Sequence, residues 1–404
     1  MGRFESARRP RFRDSERPLE LREVVIEPAP VATRGLQDVI AGTTAISMVD
    51  PAGSLVYRGY DIDDLAERAS YEEVAYLLLT GKLPNRNDLA RFGESLAKER
   101  ALSPFLLRLV GEMKNGTPMD AMRTVVSASA LEDPDEGDNS HAANLRKATR
   151  LVARMPTIVA AYMRRRAGLE PIAPDPKKNH AENFAWMAFG DKALKDAPRI
   201  LNVAFILQAD HGFNASTFTA RVVAGTNADM HAAIAAALAA LKGPLHGGAT
   251  DGTMKQLKEI GTPDRAQSYV EQLFAKKGKL SGWGHRVYKD FDPRAKHLHR
   301  MARELAQHSA NGTLVDIQER LEEVVPRLWQ GHSVKLFPNV DYFAATTYSL
   351  LGIDADLGTS IFAIGRMAGW CAHVTEQHDD NRLIRPESEY TGARGLRYVP
   401  VEQR

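Results

Sequence analysis

A single cysteine, Cys371, among 404 residues rules out an intramolecular disulfide and every CxxC metal or redox motif. That scarcity fits a reducing compartment, so a cytoplasmic protein is expected, with the lone thiol of "GWCAHV" serving as core filler. Long apolar runs are missing too. The longest, "AAIAAALAAL" from Ala232 to Leu241, falls well short of the ~18 residues that suggest a bilayer span, so no membrane partner is expected. Charge of one sign is also lacking: 53 Lys and Arg stand against 51 Asp and Glu, which leaves no net field to attract nucleic acid. Any anion must therefore be held by a local cluster. The chain has no HExxH pair, no P-loop and no GxGxxG after a strand, so the usual short-spaced zinc site, phosphate cradle and dinucleotide fold are unsupported.

What remains is a chain with 44% hydrophobic residues, long enough for a large core and two structural units. Residues 1–33 are arginine-rich but also carry acids and lack an apolar signal core, so they are expected to form a flexible tail. The one convincing β signal is "TAISMVDPAGSLVY", Thr44 to Tyr57, which reads as a hairpin around "DPAG". Elsewhere the 3.6-residue period dominates and the fold class is mainly α. Ser70 and Glu73 form a capping-box pattern before Val74, Leu77 and Leu78, and Gly81 with Pro84 ends that helix. Further helices are expected at 87–100, 104–114, 143–166, 181–189, 199–208, 216–224, 229–241, 253–259, 264–275, 295–307, 315–328, 342–350 and 359–373. The 229–241 segment is nearly all alanine, so another helix can approach it closely, either inside one monomer or at a subunit contact. "LEDPDEGDNS" (131–140) and "PIAPDPKKNH" (171–180) read as surface loops.

Four acid-base candidates stand in unusual settings: His211 in "ADHGFNAST", His246 in "GPLHGGATDG", His285 in "GWGHRVYKDFDPR" and Asp341 in "FPNVDYF". Glycines flank His246 and His285, which suits close backbone approach or a sharp turn. A metal site is disfavoured, because Arg286 and Arg294 would place positive charge beside the cation. The same arginines suit a carboxylate, which the guanidinium fork grips bidentately. Arg366 sits inside the apolar "FAIGRMAGWCAHV", where an unpaired charge is costly and an anion must compensate it. Arg385 precedes a proline, so its backbone is extended and its side chain can reach outward.

These segments resemble the citrate synthase family in family order: "GLQDVIAGTTAISMVD", "LVYRGYDIDDLAE", "EEVAYLLLTGKLP", "ADHGFNASTFTARV", "GPLHGGA", "GHRVYKDFDPRA", "FPNVDYF", "GRMAGWCAH" and "IRPESEYTG". The resemblance implies an all-α citrate synthase fold. The large helical domain would take 34–248 and 350–404, the small one 249–349, with the active site in the cleft between them. It implies an acyltransferase of the tricarboxylic acid cycle that condenses acetyl-CoA with oxaloacetate and water, with no metal or resident cofactor. Asp341 would be the base, His246 the donor that stabilises the enol and His285 the residue polarising the keto group. His211, Arg294, Arg366 and Arg385 would bind the dicarboxylate, Arg385 in the neighbouring subunit's site, which implies a homodimer. The rival readings are a 2-methylcitrate synthase using propionyl-CoA and a non-catalytic dimeric scaffold of the same fold. Lys276, Lys277 and Lys279 are read either as contacts to coenzyme phosphates or as a solvated helix end. Three departures from the family pattern stand out: Thr250–Asp251–Gly252 after the "HGGA" turn, Gln208 three residues before His211, and Thr117.

Overall fold

Local start and stop signals set many of the helices in this computed structural model, which describes residues 34–36 and 39–404. The expected tail, 1–33, lies outside the described residues. Strands β1 (Ser47–Asp50) and β2 (Ser54–Tyr57) pair antiparallel, Ser47 opposite Tyr57 and Asp50 opposite Ser54, as the hairpin pattern predicts. A two-residue strand β3 (Tyr60–Asp61) extends the sheet. The helices are α1 (Ile62–Arg68), α2 (Tyr71–Thr80), α3 (Arg86–Glu99), α4 (Pro104–Glu112), α5 (Pro118–Ser129), α6 (His141–Arg166), α7 (His180–Phe189) and α8 (Ala197–Gln208). They continue as α9 (Ala215–Ala224), α10 (Met230–Lys242), α11 (Ala249–Ile260), α12 (Ala266–Ala275), α13 (Ala295–Ala306), α14 (Thr313–Leu328), α15 (Val340–Leu350) and α16 (Gly358–Asp379). In α2 the capping box forms as expected, with Ser70 accepting from the Glu73 amide and Gly81 closing the helix in the left-handed region.

Two helices were not anticipated. Helix α1 is only seven residues long and too short to show a period, although Asp61 caps it. Helix α5 begins with Thr117 as cap and Pro118 at its first position, a start signal that the surrounding polar residues obscured. Thr117 thus has a local structural task. The expected surface loop 131–140 also hides a buried group: Asp133 pairs with Arg150 (2.6 Å) and His231 (2.8 Å).

Helix α16 runs through the middle of the core and packs on α2, α5, α6, α8, α9 and α10, with nearly every residue from Gly358 to Gln377 buried. Each large apolar side chain it buries is worth about 1.5–3 kcal/mol. Its approach to the end of α8 depends on small residues. A Cβ at Gly365 would lie 2.6 Å from the Phe205 carbonyl oxygen, and one at Gly369 would lie 2.5 Å from Asp210 Oδ1. Cys371 lies in the same buried stretch, where burial pushes its thiol pKa up, in keeping with a packing role. Helices α11, α13, α14 and α15 pack on one another, and α12 packs on α14. The described chain divides into two compact units, residues 44–386 and the terminal segments through Thr43 and from Glu387 to Arg404. The terminal unit contains the short 3-10 turns Arg34–Leu36 and Val401–Gln403. All the candidate residues lie in the 44–386 unit.

Candidate active site

The segment between α8 and α9 presents His211 and is tied down from several sides. Tyr57 Oη donates to the Asp210 carbonyl (2.9 Å), Ser47 Oγ donates to Asp210 Oδ2, and His373 Nε2 stands 3.2 Å from the same carboxylate. Burial works to raise the Asp210 pKa, but His373 and Arg366 outweigh it and hold the carboxyl below its usual range. His211 itself is buried, with its ring 5.1 Å from that of His285, and its pKa falls well below normal through burial and the charge of Arg294. It is neutral at pH 7.

His285 sits on a loop that needs its glycines. Gly282 has φ 73°, and a Cβ there would lie 2.7 Å from Thr253 Oγ1 and 2.8 Å from Tyr342 Cβ. The loop pairs with 337–339: the Asn339 amide donates to the Gly282 carbonyl (2.8 Å) and the Gly284 amide to the Phe337 carbonyl (2.7 Å). Because Asn339 also caps α15, His285 and Asp341 are held by one short backbone link. The amides of Val287 and Tyr288 both donate to His285 Nδ1 at 3.1 Å. An amide can only donate, so Nδ1 is bare and the proton lies on Nε2. Burial, with Arg294 nearby, lowers the His285 pKa to about 4.

His246 follows the same logic on a different element. It lies in the turn between α10 and α11, and Nε2 accepts from the Ser216 amide (3.3 Å) while standing 2.8 Å from Ser216 Oγ. That hydroxyl is held by Trp370 Nε1 (3.1 Å) and Asn214 Oδ1 (2.8 Å). The His246 proton therefore lies on Nδ1, and burial, then Arg366, lowers the pKa to about 4. Helix α11 starts at Ala249, four residues earlier than expected, so Thr250 and Asp251 belong to its first turn and Thr250 is buried.

The charged groups complete the picture. Arg294, buried at the start of α13, is gripped by Asp292 through Nε (2.9 Å) and Nη2 (2.8 Å). Burial opposes its charge, but Asp292 prevails and holds its pKa above normal. Asp292 also accepts the Val340 amide (3.0 Å), which ties Arg294 to the start of α15. Arg366 is fully buried on α16 and donates Nε to the backbone carbonyl of Gln208 (2.6 Å), whose side-chain oxygen accepts from Tyr348 Oη (3.0 Å). Burial lowers the Arg366 pKa to about 10, leaving it cationic at pH 7. Asp341, partly buried in the first turn of α15, is raised by burial to about 6, with Arg294 and Arg366 pulling the other way and Asp292 assisting. Two cations, three neutral imidazoles, of which His246 and His285 have opposite donor tautomers, and one reluctant carboxylate thus share a single electrostatic neighbourhood.

Arg385 stands apart: it is exposed and makes no hydrogen bond among the described residues. Arg286 is exposed likewise, and Lys276, Lys277 and Lys279 are exposed beyond the end of α12. Sequence reasoning missed Ser216, Asp292, Asp210 and Tyr288. Ser216 lay inside an evident helix start, and Asp292 inside an Asp-Pro turn, so each had a sufficient local explanation. No group of three or more His, Cys, Asp or Glu among the described residues could hold a metal ion.

A helical protein with buried arginines facing neutral imidazoles and a high-pKa carboxylate is built to hold a small carboxylate anion and move a proton beside it. The comparisons with known proteins place the chain in a family. A family model described as "Citrate synthase, C-terminal domain" matches residues 35–387. The chain is 45% identical to citrate synthase 2 of Bacillus subtilis over 375 residues, covering 92% of this chain and 99% of that protein. It is 41% identical to a 2-methylcitrate synthase of Mycobacterium tuberculosis over 369 residues, covering 91% and 92% respectively. Among solved structures, the ternary complex of Thermoplasma acidophilum citrate synthase with carboxymethyl coenzyme A and oxaloacetate superposes with a TM-score of 0.86 at 32% identity, covering 91% of this chain and 98% of that one. The chain belongs to the citrate synthase family and has its all-α fold.

Proposed function

We propose that the chain condenses acetyl-CoA with oxaloacetate and water to give citrate and CoA, an acyltransferase of the citrate (Si)-synthase type. The observation that carries this reading is the pair of backbone-locked neutral imidazoles, His246 offering Nδ1–H and His285 offering Nε2–H. Because each imidazolium pKa is low, the ring stays neutral at the working pH and its remaining N–H is a fixed donor to a developing oxyanion. Asp341 takes a proton from the thioester methyl while His246 Nδ1–H meets the oxygen on which charge accumulates. The enolate carbon then forms a bond to the keto carbon of oxaloacetate as its C=O π bond breaks, and the resulting alkoxide, polarised by His285 Nε2–H, takes up one proton, balancing the one Asp341 removed. His211, Arg294 and Arg366 hold the carboxylates, and water finally cleaves the citryl thioester to release CoA.

The reading includes a cleft between the large domain and the 249–349 domain, closing on oxaloacetate to shut water out. It also includes a homodimer in which Arg385 completes the neighbouring site. The exposure of Arg385 supports that, as does the α5–α10 face, where Arg123, Leu131, Ala235, Ala236 and Ala239 help line an open cavity of about 640 Å³ that another helix can approach. The test is release of free thiol from acetyl-CoA or propionyl-CoA in the presence of oxaloacetate, with acetyl-CoA turned over faster. Preference for propionyl-CoA would move the chain to the 2-methylcitrate synthases, and no turnover with either would leave a scaffold.

A further inference from the structure

Tyr288 contacts His211 and His285, lies beside Arg294, and belongs to none of the roles above. Its hydroxyl lies 3.1 Å from His211 Nε2, its ring stacks on His285 with centroids 4.6 Å apart and 28° between planes, and the Arg294 guanidinium lies 6.0 Å from the ring centroid. Its own amide is one of the two that donate to His285 Nδ1. The side chain is 1% exposed, and among the described residues His211 Nε2 is the only partner of its hydroxyl. A buried hydroxyl must place its proton on an acceptor, so the phenol donates and Nε2 is bare.

We propose that Tyr288 is a positioning residue for the keto dicarboxylate, fixing His211 as its Nδ1–H tautomer and holding the ring plane of His285 through the stack. The proposal rests on the reading of this site as an oxaloacetate site, but its tautomer claim can be tested without substrate. Burial pushes the phenol pKa up, so Tyr288 stays a protonated donor across the working pH range. Three consequences follow from one side chain: His211 points its only N–H away from the phenol, His285 cannot rotate about its Nδ1 contacts, and the Arg294 cation is flanked by an aromatic face.

Nitrogen-15 spectra of histidine-labelled wild-type protein at pH 7, with His211 assigned by the His211→Gln variant, should show Nδ1 protonated and Nε2 bare. A protonated Nε2 would overturn the proposal whatever the enzyme's substrate. Tyr288→Phe keeps the stack and removes the donor. It should release the tautomer and raise the oxaloacetate KM about three- to ten-fold, with kcat falling less than KM rises. Tyr288→Leu removes the stack too and should lower kcat further. A Phe variant with wild-type tautomer and wild-type KM, or Phe and Leu variants with the same kcat loss, would refute it. Failure of wild-type turnover with both acyl-CoA substrates would instead count against the reading of the site, and the nitrogen spectra would still decide the tautomer.

Discussion

Replacing Asp341 with Asn should make the protein more stable and inactive at the same time. The carboxyl sits at about 6 instead of 3.8, chiefly because burial penalises its anion. A group whose pKa rises on folding contributes stability below its unfolded pKa, and that contribution is lost as the pH climbs through its folded pKa. At pH 7.5 the native state therefore bears the whole cost of an ionised Asp341. A shift of roughly two pH units corresponds to at most ~3 kcal/mol, and partial exposure reduces this to about 1–2 kcal/mol. Asn has the same shape and no charge, so Asp341→Asn should raise the melting temperature by roughly 1–3 °C at pH 7.5. Near pH 4 wild type is itself protonated and the difference should vanish. The same variant should lose about 10²–10⁴-fold in turnover, the usual worth of a general base, while calorimetry still detects oxaloacetate binding. In wild type, kcat/KM should fall tenfold per pH unit below about 6, because neither His246 nor His285 titrates in that window. An Asn variant no more stable than wild type at pH 7.5, or one that still turns over, would refute the reasoning.

Other perturbations test the remaining parts. Ser216→Ala leaves the amide on His246 Nε2 but strips the hydroxyl and strands the Trp370 indole N–H. A two- to ten-fold fall in kcat is expected, with about 1–3 kcal/mol lost from stability in urea melts. Arg366→Gln removes a fully buried cation, so the oxaloacetate KM should rise about ten- to a hundred-fold in steady-state assays, with little loss of melting temperature in the free protein. Gly369→Ala forces a methyl against the Ala209 carbonyl and the Asp210 carboxylate. It should cost about 1–3 kcal/mol by denaturant melts and weaken oxaloacetate binding through the displaced His211 segment.

Much of the fold was written locally. Capping residues and the 3.6-residue period mark α2 and α6, because a cap and an apolar face act within a few residues of themselves. Glycines around His246 and His285 and an arginine inside an apolar helix single out three candidates from the residues themselves, whereas the roles proposed for all seven come from the family resemblance. Arg221 and His373 stand 152 positions apart, and only folding brings them to 3.1 Å. The same holds for the chemistry. The sequence shows that His246 and His285 are histidines, but their tautomers come from the Ser216 amide on α9 and from the folded 285–288 turn. It places Asp341 after an Asn cap, whereas its pKa near 6 comes from the packing that buries it, and its field from Arg294, Arg366 and Asp292 on other elements. Residue identity and short-range geometry are properties of the chain, but desolvation and through-space charge depend on which distant groups become neighbours, and only the tertiary structure determines that.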